Sequence, residues 1–372
     1  MKKIAILGAG KIGWSAAQLL AESGDYKVTV ADNNDHALQN PAAKSVTAIR
    51  ADLANTNEVE KILTGQEYVI STCPFYLNTA IATIAHKLGV HYFDVTEDVE
   101  TTRAIKELAK KTKCALVPQC GLAPGFISIA ANTVAGKFDQ ILDVTMRVGA
   151  LPQFPTNALK YNLTWSTDGL INEYCNPCEA IVEGEMVELQ ALDSIEHFTL
   201  DGSEYEAFNT SGGIGSLGDS LSGQARNVAY KTIRYPGHRD IIQTLLHDLR
   251  LIERRDLLKD IFEASIPSTT QDVVLVFVTV TGMRAGRLVQ ENFLRKIYSR
   301  ELYGRTWSAI ELTTSAALCT MVDLHRDGKL AKTGFVKQED IGLPVFLANR
   351  FGKYYEDTAV TPVASITHPR RA

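Results

Sequence analysis

Gly8, Gly10 and Gly13 follow a short apolar run, KIAIL, and open a segment, KIGWSAAQLLAES, whose apolar residues recur at helical spacing. In that context each glycine has a job. The first permits a tight turn, the second lets the backbone approach a pyrophosphate, and the third lets helix and strand pack closely, so that the phosphates meet the positive helix end. A glycine-rich turn that binds nothing is the alternative, and the strand before and helix after the triplet argue against it. Asp32 closes the next apolar run, VTVAD, where a carboxylate accepts hydrogen bonds from ribose hydroxyls and repels a 2′-phosphate. Asn33 and Asn34 follow it, rather than an arginine that would neutralise such a phosphate. The chain is therefore expected to bind NAD in preference to NADP. Lys11 and Ile12 belong to the same loop, Asp52 with Leu53 in IRADL is placed for the adenine edge, and Thr72, Cys73 and Pro74 in VISTCP for the nicotinamide half.

A second group of polar residues, Asp94, Thr96 and Glu97 in YFDVTED, ends a later apolar run on the side where ligands of open α/β sheets collect, with Val95 among them. A strand-end cap is the competing role for Asp94. Cys175 and Cys178 have the two-residue spacing of metal ligands, but no second pair or histidine follows at finger spacing, so two buried thiols are expected and no metal.

The elements that must position these residues are of two kinds. Over about the first 130 residues, short apolar runs alternate with helix-like segments, the pattern of a parallel sheet covered on both faces. Near Ile141 the texture changes to a loop-rich stretch and hairpin-like runs, EAIVEGEMVEL and VVLVFVTVTG followed by AGRLVQENFLRKI, which read as an antiparallel or mixed sheet. HRDIIQTLLHDLRLIERRDLLKDIF reads as a helix with a solvated charged face, SAIELTTSAALCTMVDLH as an apolar helix, and VFLANRFGKYY as a further short one. An α/β fold results: a Rossmann dinucleotide-binding domain over 1–136, an inserted α+β domain over 137–305, and C-terminal helices over 306–372 that return to the first. At 372 residues two domains are the expectation. With 45% hydrophobic and 22% charged residues and a net charge of -5, the chain offers no basic surface to nucleic acid. No apolar run reaches membrane-spanning length, the start MKKIAILGAG reads as a strand rather than a signal peptide, and six scattered cysteines suit a reducing compartment, so a cytoplasmic protein without disulfides is expected.

Three further stretches, CGLAPG from Cys120, YNLTWSTDGLINEYCNPC from Tyr161 and KTIRYPGH from Lys231, together with FVKQEDI and FLANRFGKYY, carry a resemblance over nearly the whole chain. The sequence resembles the saccharopine dehydrogenase-like family, and within it the lysine 6-dehydrogenase branch. That resemblance implies oxidation of a carbon–nitrogen bond in an amino acid of the lysine pathway, a substrate domain that also dimerises, and hydride transfer to a nicotinamide. Lysine oxidised at its ε-carbon leads; saccharopine oxidation, carboxynorspermidine synthesis and a non-catalytic NAD-binding protein are the rivals. The resemblance assigns Arg234 to a substrate carboxylate, for which its planar fork suits a bidentate grip, and sets Thr96 and Glu97 beside substrate and nicotinamide. An ion pair is the competing role for Arg234. Against a cationic side chain, Asp94 and Glu97 could bind the ammonium group or relay its proton. Cys120, Gly121, Pro124 and Gly125 are expected as a pocket wall, with Gly121 on the cofactor. Ser166, Asn172 and Tyr174 are candidates to orient the α-amino group; Trp165 serves there or in packing. Tyr235 and His238 flank Arg234, and His238 is a candidate proton acceptor or a structural histidine. Arg239 is the candidate second anchor that saccharopine would need.

Overall fold

The computed structural model describes residues 1–39 and 45–356. Its first layer alternates β1 (Lys2–Leu7), α1 (Lys11–Glu22), β2 (Tyr26–Asp32), α2 (Asp35–Leu38), β3 (Thr47–Arg50), α3 (Thr56–Leu63), β4 (Tyr68–Ser71), α4 (Phe75–Leu88), β5 (His91–Asp94), α5 (Val99–Ala109), β6 (Ala115–Val117) and α6 (Phe126–Ala135). These strands pair in parallel in the order β6-β5-β4-β1-β2-β3. Ile4 to Leu7 at its centre are wholly buried, as expected of strands covered on both faces. The order reverses between β1 and β4, and that switch point opens the crevice where ligands of such sheets bind. Local signals set the flanking helices: Asn55 caps α3 and Asp98 caps α5, each side chain accepting a backbone N–H of the first turn.

The chain then builds a second sheet. Its elements are β7 (Gln140–Pro152), α7 (Thr167–Cys175), β8 (Cys178–Val182), β9 (Glu185–Leu189), β10 (Glu196–Leu200), β11 (Ser203–Asn209), α8 (Leu217–Leu221), β12 (Ala225–Arg234), α9 (His238–Gln243), α10 (Arg255–Ser265), β13 (Asp272–Arg284) and β14 (Arg287–Tyr298). The strand order is β10-β11-β12-β7-β13-β14, with β8 and β9 attached at β12. β12 and β7 run parallel while the neighbouring pairs are antiparallel, so the sheet is mixed. The β13–β14 hairpin turns on Ala285 and Gly286, both at positive φ, which matches the twist of the paired strands.

Val274, Val276, Val278 and Val280 occupy alternate positions of β13 and are all buried in the shared core. After the ribbon β15 (Arg300–Leu302) and β16 (Arg305–Trp307), α11 (Ala309–Arg326) packs between α1 and β13, followed by β17 (Gly334–Phe335) beside β6 and α12 (Leu343–Ala348). Ser308 caps α11, and the buried Asp272 carboxylate accepts the Ala309 and Ile310 amides, joining the second sheet to the helix that returns to the first. Asp323 near its end accepts from Tyr26, Asn349 and Arg350.

One reading needs correction. The stretch 238–262 is not one helix: α9 passes through a π turn at Thr244–Asp248, Arg250 takes φ 57°, and α10 starts afresh at Arg255. The break lets Ile242, Leu246, Leu258 and Phe262 reach one cluster with Tyr161, Leu170 and Tyr174, which a straight helix of that length would not do. No helix among the described residues is long and apolar enough to cross a membrane.

Candidate active site

The loops after β1, β4, β5 and β6 meet α7 and β12 around a cavity of about 550 Å³. At one end lies the glycine loop. A Cβ on Gly13 would stand 1.9 Å from the Gly8 carbonyl oxygen, and one on Gly8, at φ 105°, would stand 2.8 Å from Thr72 Oγ1. Gly10 meets nothing within 4 Å, leaving an open approach at the start of α1. This cradle fits a dinucleotide pyrophosphate. Gly10, Lys11, Ile12, Gly13, Thr72, Cys73, Pro74, Val95 and Gly121 line the cavity, whereas Gly8 packs against Thr72 and Gly13 and does not line it. Asp32 lies outside it, its carboxylate accepting the Ala9 amide at 2.7 Å and the Asn34 amide at 2.9 Å. Asp52, whose carboxylate accepts from Ala54, and the buried Leu53 follow β3 and also lie outside. Arg50 is the register partner of Asp32 across the sheet, with its guanidinium 3.3 Å from Asp35.

The other end is charged. Arg234 is 2% exposed, donates from Nε to the Tyr174 hydroxyl at 2.9 Å and from Nη1 to Thr232 Oγ1 and the Ile233 carbonyl, and stacks over the Tyr161 ring. It forms no ion pair among the described residues, and Glu173 is the carboxyl whose charge acts on it across the cavity. Tyr230, Thr232 and Arg234 line the same cavity because alternate residues of β12 share a face. Thr96 and Glu97 line it from the end of β5, and Ser166, which caps α7, lines it too.

Room for Glu97 is made by two glycines: a Cβ on Gly169 would lie 2.7 Å from Glu97 Oε1, and one on Gly212, at φ 83°, would lie 2.3 Å from the Glu97 carbonyl oxygen. Burial pushes the Glu97 carboxyl up to about 7, with Asp98 and Asp94 adding to the effect. Glu173 on α7 was not among the residues singled out in the sequence, yet it lines the cavity, is 8% exposed and bonds to no other described side chain. Burial raises its carboxyl to about 8, opposed by the Arg234 charge and reinforced by Glu97. Its helical spacing, three residues after the buried Leu170, was the available signal.

Among the residues expected to touch substrate or do chemistry, Asp94, Cys120, Asn172, Tyr174, Tyr235 and His238 do not line the cavity, and neither do Pro124 and Gly125 of the expected wall. Asp94 is fully buried and accepts the Tyr92 hydroxyl and the Thr96 and Gln119 amides, so it is a strand-end organiser, although burial lifts its carboxyl to about 6. The Cys120 thiol faces the Val117 carbonyl and Gln338 inside the core. Tyr235 points to the opposite face of the sheet, stacking on Tyr205 and donating to Pro152, because it alternates with Arg234. His238 is buried between the Tyr174 hydroxyl at Nε2 and the Leu159 carbonyl at Nδ1, and burial with the Arg234 charge lowers its pKa to about 3, so it braces Tyr174 behind Arg234 rather than taking a substrate proton. Tyr174 orients Arg234. Asn172 bonds to Asn176 and Arg255 away from the cavity.

Comparison with known proteins matches this architecture. A family model described as the saccharopine dehydrogenase NADP binding domain matches residues 4–117, and the saccharopine dehydrogenase C-terminal domain matches 121–351. The chain belongs to the saccharopine dehydrogenase family. Among curated relatives, the NADP(+), L-glutamate-forming saccharopine dehydrogenase of Schizosaccharomyces pombe is 22% identical over 66% of this chain and 57% of its own length. The mitochondrial alpha-aminoadipic semialdehyde synthase of Rattus norvegicus is 22% identical over 50% of this chain. The chain spans 57% and 21% of these two relatives' lengths. Apo saccharopine dehydrogenase (L-Glu forming) from Saccharomyces cerevisiae shares the fold, with a TM-score of 0.78 at 16% identity over 93% of this chain and 96% of that one.

Proposed function

We propose that this member of the saccharopine dehydrogenase family is a nicotinamide-dinucleotide-dependent dehydrogenase that oxidises a carbon–nitrogen bond in an amino acid of lysine metabolism, with L-lysine at its ε-carbon as the leading substrate. One observation carries the reading. A buried guanidinium that forms no ion pair among the described residues, and two glutamates that bond to no other described side chain, line a single cavity, and the carboxylate and ammonium of lysine are their complements. When bound, the nicotinamide supplies the hydride acceptor. Arg234, braced by Tyr174, holds the substrate carboxylate and fixes the distance to the reacting carbon. Glu97, with a carboxyl near neutrality, takes a proton from the ε-ammonium, leaving the neutral amine that can release hydride. Water then adds to the resulting imine and gives up a proton to Glu97 or Glu173, that carboxyl returns the proton to the nitrogen, and ammonia departs, taking up the hydroxyl proton as ammonium, to leave the semialdehyde, which can cyclise to piperideine-6-carboxylate.

Saccharopine is the second reading, supported by the relatives' names and by Lys11, a second cation on the cavity wall. Its extra carboxylates would have to sit near Glu97 and Glu173. Arg239, the anchor considered for it, bonds to Leu192 and Asp240 and does not line the cavity. For the cofactor, Asp32 supports NAD, while the wording of the family model and the neighbouring Arg50 support NADP. The experiment is absorbance at 340 nm with purified protein, pairing L-lysine and saccharopine each with NAD and NADP. Lysine turnover supports the proposal, saccharopine turnover alone replaces it, and binding of dinucleotide without any turnover leaves a non-catalytic protein.

A further inference from the structure

Glu97 and Glu173 are walls of two cavities. A second cavity of about 380 Å³, lined by no residue of the glycine loop, shares Phe75, Glu97 and Glu173 with the first. Its charged lining consists of six carboxyl groups and the single guanidinium of Arg103. Two of the six are committed: Asp98 caps α5, and Glu179 pairs with Arg103 at 2.5 Å. Glu188 stands directly opposite Glu179 across the β8–β9 ladder; Arg103 neutralises Glu179, and the Glu188 side chain has no hydrogen bond or ion pair among the described residues. Glu100 closes the rim. Glu173 is the second observation: a carboxyl more than nine-tenths buried, lining this cavity and without a partner among the described residues.

We propose that this acidic cavity is a binding site for ammonium and small primary alkylammonium ions, continuous with the active site through the Glu97–Glu173 wall. The ligand class follows from the lining. Carboxylates are acceptors only, so the matching ligand is a compact cation carrying several N–H donors and no acceptor. A fully alkylated ammonium has the charge without the donors and would bind poorly, and an anionic substrate arm is repelled. The half-buried Glu97 and the buried Glu173, the latter despite the opposing Arg234 charge, hold protons near neutrality in the absence of a cation, so binding releases protons and tightens as pH rises from 6.5 to 8.5. The role of the site rests on the proposed deamination: the nitrogen expelled at the active site leaves as ammonium into a cavity built for it.

The test titrates ethylammonium chloride into the full chain by calorimetry at pH 8.5 and constant ionic strength, with tetramethylammonium chloride and sodium chloride as controls. Glu100→Gln and Glu188→Gln are made together, since both side chains are exposed and neither has a hydrogen bond or ion pair among the described residues. Ethylammonium is expected to bind selectively over both controls, and the double variant to bind about fivefold more weakly, the effect of two partly exposed charge contacts. Equal heats from the controls, undiminished binding in the double variant, or no binding overturns the proposal. Lysine oxidation is measured on the same preparation. Selective, rim-dependent binding without turnover of any amino acid supports the cation site and removes the proposed reaction, whereas turnover without selective binding removes the cation site alone.

Discussion

Replacing Glu173 by Gln should make the protein less sensitive to alkaline pH, because this carboxyl is buried in a fold that gives it no partner. Its pKa stands at about 8 rather than near 4.5, chiefly through burial. At 1.36 kcal/mol per pKa unit, the charged form is disfavoured in the fold by up to ~5 kcal/mol. Cavity water relaxes part of that cost, so ~2 kcal/mol is the working magnitude. The sign follows from proton counting. Between pH 4.5 and about 8 the folded chain binds more protons at this site than the unfolded chain, so its contribution to stability falls as pH rises through that window. Glutamine does not titrate and keeps the shape, so the variant lacks this slope. Unfolding entropy of about 2.1 cal/mol/K per residue makes ~2 kcal/mol worth roughly 2–3 °C in a chain of this size. The assay is thermal unfolding by circular dichroism at pH 5.5, 7.0 and 8.5. The melting temperature of Glu173→Gln should rise relative to the parent by that amount between the first and last pH. Parallel curves, or a variant that loses more than the parent at high pH, would mean that Glu173 is charged and paired in the fold, and the unpartnered-carboxyl argument would fail.

Other substitutions test separate parts of the site. Arg234→Lys keeps a charge but loses the fork and the bond to Tyr174, so KM for the amino acid should rise about 10–100-fold, the worth of one or two charged hydrogen bonds, with a smaller change in kcat; an unchanged KM would remove Arg234 from the substrate site. Glu97→Gln should abolish the rise of kcat/KM with pH toward the Glu97 pKa of about 7, and a profile that keeps its acid limb would move the base elsewhere. Asp32→Asn removes the charge opposing a 2′-phosphate and should lower the ratio of NAD to NADP efficiency about tenfold, roughly 1.4 kcal/mol; a constant ratio would credit selectivity to other residues. Gly212→Ala forces a Cβ to 2.3 Å from the Glu97 carbonyl at positive φ, so it should cost about 2–4 kcal/mol in urea unfolding and lower activity further by displacing Glu97; a neutral result would mean that the loop relaxes freely.

What could be read from the sequence was what depends on neighbours in the chain. The glycine loop was legible because its demands are local: Gly8 and Gly13 must approach within a turn, and a side chain at either collides at once. The mixed sheet was legible from paired apolar runs and their turn residues, as at Ala285 and Gly286. Functional roles assigned by adjacency fared worse, and the reason is the period of the backbone. Arg234 and Tyr235 are consecutive, so a strand sends them to opposite faces, while Thr232 and Tyr230, two and four residues back, reach the cavity with the arginine. Helical period hides Glu173 in the same way: between Asn172 and Tyr174 in a polar stretch it looks solvated, but the spacing from Leu170 turns it inward. His238 shows the remaining gap. Its imidazole is a plausible base by composition, and only the three-dimensional placement of Tyr174, Leu159 and the Arg234 charge holds it neutral, where it can brace a hydroxyl but is a poor proton acceptor at pH 7. Both kinds of error have one cause. Chemistry in this fold is done by residues that converge from α7, β12 and the end of β5, and convergence of that kind is written in which face each residue takes, before it is written in any motif.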